Sequence, residues 1–76
     1  MKPIVVNVAY DDEARIWFIE ESTLPGLRSE AASLEALKAK LPGLVEDLIE
    51  ANRLDYRGPV PIEVIARTYA MANVAA

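Results

Sequence analysis

The residues whose types could do chemistry are acids: Asp11-Asp12-Glu13 in a row, and the adjacent pair Glu20-Glu21. Clustered carboxylates can hold a hard cation such as Mg²⁺ or Ca²⁺ through oxygen, and facing carboxylates can drive metal-assisted or glycosidic hydrolysis. The spacing argues against both. Asp11-Asp12-Glu13 lies between two apolar runs, where Asp is an ordinary turn former. A two-metal nuclease needs an acid in the middle of a strand, and the middle of the first run is Val6-Asn7-Val8. Glu20 and Glu21 are neighbours in an extended run, so regular alternation sends them to opposite faces. No metal site, no bound cofactor and no catalytic acid pair is expected.

Nucleophilic chemistry fares no better. Ser22, Ser29 and Ser33 are present, but the chain has no His to act as base and no Cys to act as nucleophile. Lys38 and Lys40 sit on what reads as the solvated side of a helix, a poor place for a Ser-Lys pair. Three glycines do not build a phosphate-cradling loop. The chain therefore reads as non-enzymatic. Two competing readings are a Mg²⁺-dependent hydrolase using Asp11 and Asp12, and a single-stranded RNA binder stacking bases on Tyr10, Trp17, Phe18, Tyr56 or Tyr69. The net charge of −4, with only eight scattered basic residues, offers no stripe for phosphates.

The elements that would position these residues are legible from the pattern. Ile4 to Tyr10 is β-branched and reads as a strand. Arg15 to Ser22 reads as its hairpin partner across a four-residue loop. That loop would pair Tyr10 with Arg15, Val8 with Trp17 and Val6 with Ile19. One face then carries Ile4, Val6, Val8, Tyr10, Trp17 and Ile19, and the other Val5, Asn7, Ala9, Ile16, Phe18 and Glu20. Thr23-Leu24-Pro25-Gly26 has the chemistry of a type II turn, with Pro presetting φ and Gly accepting a positive φ. Leu27 to Ala32 reads as a short edge strand. Ser33 is a good N-cap with Glu35 in the first turn. Leu34, Leu37, Leu41, Leu44, Val45, Leu48 and Ile49 follow as a helical stripe ending near Asn52. Pro42-Gly43 interrupts the stripe without changing its phase, so one kinked helix or two collinear ones are expected. Val60 to Tyr69 reads as a last strand, and residues 70–76 as a frayed tail. The fold class is α+β, in the order β-β-β-α-β: an antiparallel sheet with one face covered by the helix, forming a single domain over 1–76.

A chain of 76 residues buries only about 60% of the surface its unfolded form exposes. With neither Cys nor His, disulfides and soft-metal staples are excluded, which leaves association as the remedy for a thin core. The composition is 53% hydrophobic, more than one small core hides. The surplus falls on the second sheet face, and Val5, Ile16, Phe18, Ile65 and Tyr69 are the candidate partner or dimer interface. A homodimer through that face or through a sheet edge is expected. No apolar run approaches the roughly 20 residues of a membrane span, and no signal-peptide pattern follows Met1-Lys2-Pro3. The expectation is a soluble, cytoplasmic protein.

These residues also carry a family likeness. An acidic turn, then Trp17-Phe18-Ile19-Glu20-Glu21-Ser22, the corner Leu24-Pro25-Gly26-Leu27, Glu30-Ala31, and the helix start Ser33-Leu34-Glu35-Ala36-Leu37 with Lys40-Leu41-Pro42 resemble the HicB-like superfamily. The likeness is nearest to its short stand-alone bacterial domains of uncharacterised function, and it spans about Ile4 to Asn52. It implies a partial ribonuclease H-like β-β-β-α-β sheet without catalytic acids, and an antitoxin-type role in binding a small ribonuclease toxin. Many members add a C-terminal DNA-binding module. Here one strand and a tail follow Asn52, so direct DNA binding is not expected.

Overall fold

The computed structural model describes residues 2–75. Met1, and Ala76 at the end of the expected tail, lie outside the described residues. The elements run β1 (Ile4–Asp11), β2 (Ile16–Ser22), β3 (Glu30–Ala31), α1 (Leu34–Ala51) and β4 (Ile62–Arg67). They form one four-stranded sheet in the order β3-β2-β1-β4, with the helix on one side.

The hairpin forms one residue further along each strand than the simplest register predicts. Tyr10 pairs with Trp17, Val8 with Ile19, and Asp11 closes the loop against Ile16. Asp11 itself causes the shift. Its Oδ1 accepts from the N–H groups of Glu13 (3.0 Å) and Ala14 (3.2 Å), and its carbonyl accepts from the Arg15 N–H at 2.7 Å. Arg15 turns the chain at φ 56° and so belongs to the loop. The shift is two positions in pairing, an even number, so the predicted faces survive it.

The sheet is mixed rather than antiparallel throughout. β1 pairs antiparallel with β2 but parallel with β4, from Ile4 opposite Ile62 to Ala9 opposite Arg67. β3 is antiparallel to β2 and therefore runs with β1. A helix that joins two strands of one sheet returns the chain to the end where the first strand began, so β4 takes the direction of β3. β3 itself is only two residues long. Leu27, expected within it, is buried instead, and pairing starts where the Ile19 N–H donates to the Ser29 carbonyl at 3.2 Å.

α1 is one continuous helix of 18 residues that contains Pro42. Ser33 caps it in an extended conformation, its Oγ accepting from the Ala36 N–H at 3.1 Å. Leu37, Leu41 and Val45 are buried against the sheet on both sides of the proline. Each such burial is worth about 1.5–3 kcal/mol. Together they exceed the roughly 3 kcal/mol cost of an internal proline. Pro42 and Gly43 are exposed, so neither obstructs the packed stripe. The C-terminus closes on Arg53 at φ 51°, with the Leu54 N–H donating to the Ile49 carbonyl at 3.0 Å and the Arg53 N–H to the Glu50 carbonyl at 3.3 Å. This is a Schellman closure made without glycine.

The core joins Ile4, Val6 and Val8 of β1 to Leu37, Leu41 and Val45 of α1, with Leu24 and Leu27 from the corner. Pro25 and Gly26 between those leucines are exposed. The Leu27 N–H reaches the Leu24 carbonyl at 3.4 Å, and Gly26 has φ 85°, as a type II turn requires. The corner is thus a wedge into the core as well as a change of direction.

Candidate functional site

The sheet face opposite α1 is built by alternation. β1 contributes Val5, Asn7 and Ala9, and β2 contributes Ile16 and Phe18. β4 adds Glu63, Ile65 and Arg67, which lie opposite Val5, Asn7 and Ala9 in register. Val5, Ile16 and Phe18 are half-buried and Ile65 is 44% exposed. Ala9, between Phe18 and Arg67, is 8% exposed. Four of the five predicted interface residues therefore share this face. Tyr69 does not join them: it lies beyond β4, 83% exposed and so packed on almost nothing.

A bulge changes the electrostatics of the face. Asn7 pairs with Glu21 and Val8 with Ile19, which leaves Glu20 as the extra residue. Glu20 and Glu21 are not sent to opposite sides as regular alternation predicts. Glu21 shares the side of its partner Asn7, and Glu20 forms an ion pair and hydrogen bond with Arg67 on the same face. Ser22, displaced to the helix side opposite Val6, accepts from the Leu24 N–H and donates to the Leu24 carbonyl, both at 2.8 Å. The bulge thereby aims two acids at the open face and starts the corner. A run of three polar residues, Glu20-Glu21-Ser22, was its signal in the sequence.

The other chemical candidates are dispersed. Asp11 is engaged by backbone N–H groups, while Asp12 and Glu13 are exposed at the tip. Among the described residues no three metal-ligating side chains converge. Lys38 lies 3.9 Å from Glu35, and the Lys40 Nζ donates to the Glu30 carbonyl at 2.8 Å, tying the helix to the edge strand. The aromatic rings do not form a row. Tyr10 and Trp17 pack together on the helix side with centroids 5.3 Å apart, Phe18 is on the open face, and Tyr56 and Tyr69 lie elsewhere.

A second concave surface escaped the sequence pattern. A groove of about 620 Å³ opens between the C-terminal half of α1 and the connector to β4, lined by Val45, Ile49, Tyr56, Pro59, Val60 and Ile62. Its walls come from segments distant in sequence, and the only local hint is the lone Tyr56 in a polar turn.

Fold and faces together define a small α+β domain with a helix on one side of a mixed sheet and a partly apolar, acid-rimmed face on the other. Residues 3–75 match the family described as "Domain of unknown function (DUF1902)", and the chain belongs to that family. It is similar to the crystal structure of a hypothetical protein from the extremely thermophilic bacterium Thermus thermophilus. The two share 35% identity and a TM-score of 0.79, over 93% of this chain and 100% of that one. No curated protein matches the chain significantly. No helix among the described residues is long and apolar enough to cross a membrane.

Proposed function

We propose that this chain is a non-enzymatic, cytoplasmic protein-binding domain of the HicB-like kind. Its open sheet face takes a small basic protein, of the class of ribonuclease toxins that HicB antitoxins neutralise. The observation that carries the reading is the uncovered apolar strip of Val5, Ile16, Phe18 and Ile65, opposite the face that the helix seals. Apolar side chains in the middle of a face, ringed by charges, are the usual anatomy of a protein contact. Here acids dominate the ring: Glu20, Glu21, Glu30 and Glu63 surround the strip, Arg67 is already paired with Glu20, and Arg28 borders Phe18 beside Glu30. Such a rim favours a basic partner and speeds its approach.

The neighbouring reading frames test this: one should encode a small basic protein, to be co-expressed with this chain. The pair should co-purify and relieve the toxicity of the basic protein. Phe18→Asp should abolish both effects while leaving the helical circular dichroism unchanged. A basic neighbour that neither binds nor is neutralised, or binding that survives Phe18→Asp, removes the assignment.

A further inference from the structure

Beyond β4, residues 68–75 do not return to the body. Tyr69, Met71 and Val74 are 83%, 92% and 89% exposed, and residues 68–75 carry no charged side chain. The radius of gyration is 15.0 Å, against roughly 11 Å for a compact chain of this length. The long axis is 56 Å where the other two are 24 and 18 Å. An uncharged arm that holds three large apolar side chains in water is incomplete by itself.

We infer that this arm packs in the groove of a second copy of the chain, and that two copies join by their β4 edges. β4 is an edge strand with an unpaired outer side, open to another strand. Two copies meeting by the same edge are related by a two-fold axis, which sets the strands antiparallel. The Arg67 end of each β4 then lies beside the Ile62 end of the other. The groove is at that Ile62 end, lined by Pro59, Val60 and Ile62. Each arm, continuing past Arg67, therefore crosses the mouth of the other copy's groove. An uncharged segment with Tyr, Met and Val meets the apolar wall of Val45, Ile49, Tyr56 and Val60, in a groove that Glu46 and Glu50 also line. One buried aromatic side chain alone removes roughly 150–250 Å² from water.

The arm of the same chain is worse placed for that groove. From Arg67 it would have to reverse and run back along β4, roughly 17 Å, before reaching Ile62. Reversals of that kind are made by Gly, Pro, Asn or Asp, and residues 68–72 contain none of them. The exchange is independent of what the open sheet face binds.

Light scattering on the full chain should give a dimer, twice the 8.4 kDa chain mass. The double variant Tyr69→Asp, Met71→Asp changes only exposed side chains, so it should run as a folded monomer with unchanged circular dichroism. Phe18→Asp should remain a dimer, which separates this inference from the one about the open face. The chain has no cysteine of its own, so cross-linking is clean. Mixing a Met71→Cys chain with a Glu50→Cys chain under oxidation should join the two chains. A monomeric wild type, a dimeric arm variant, or a single chain carrying both Met71→Cys and Glu50→Cys that closes the disulfide within itself would overturn the exchange.

Discussion

Glu20 and Arg67 meet across β1, one from each neighbouring strand, on the sheet face that the helix leaves open. The bulge in β2 supplies Glu20, and the parallel placement of β4 beside β1 supplies Arg67 opposite Ala9. Their side chains are 39% and 53% exposed, so water and salt screen the pair. A double-mutant cycle with Glu20→Gln and Arg67→Gln, followed by urea unfolding, should give a coupling below about 1 kcal/mol. A larger value would mean that the pair staples the sheet and is not merely part of its surface.

Two glycines should respond in opposite directions to the same substitution. Gly26 has φ 85°, and a methyl group there would sit 3.8 Å from Leu48 Cδ2, in contact but without a clash. The strain is conformational, and Gly26→Ala should destabilise by about 1–2 kcal/mol. Gly43 is helical with open space around it, so Gly43→Ala should stabilise by about 0.5–1 kcal/mol. Thermal melts of the two variants distinguish these signs directly.

Ser33→Ala should cost about 1 kcal/mol, because the Ala36 N–H loses its acceptor at the helix start. Ser33→Asp restores the acceptor and adds a negative charge at the positive end of the helix. It should recover wild-type stability or slightly exceed it in urea titrations.

Leu41 and Pro42 are neighbours with opposite roles. Leu41 is buried, and Leu41→Ala should cost about 2–5 kcal/mol. A domain of this size has only about 4–11 kcal/mol in total, so the variant should be largely unfolded by mild urea. Pro42 is exposed, and Pro42→Ala should stabilise by about 2 kcal/mol. It regains a helical hydrogen bond and gives back part of the gain through a more flexible unfolded chain. A destabilised Pro42→Ala would show that the ring itself supports the groove.

The sequence alone determined whatever is set within a few residues. Ser33 caps its own helix, Gly26 accepts the positive φ of its own turn, and the leucine stripe defines its own buried side. Alternation along β1 separated Val6 and Val8 from Val5 and Ala9 because strand geometry has a fixed period of two. Tertiary structure decided what depends on partners far along the chain. Pro42 leaves the helix whole because Leu37, Leu41 and Val45 are held by the sheet on both sides of it, and propensity does not contain that energy. β4 runs parallel to β1 because α1 carries the chain back across the sheet, which its own residues do not encode. The bulge at Glu20 exists because β2 must satisfy both the hairpin register and the corner at Leu24. Only that compromise turns both Glu20 and Glu21 toward the open face.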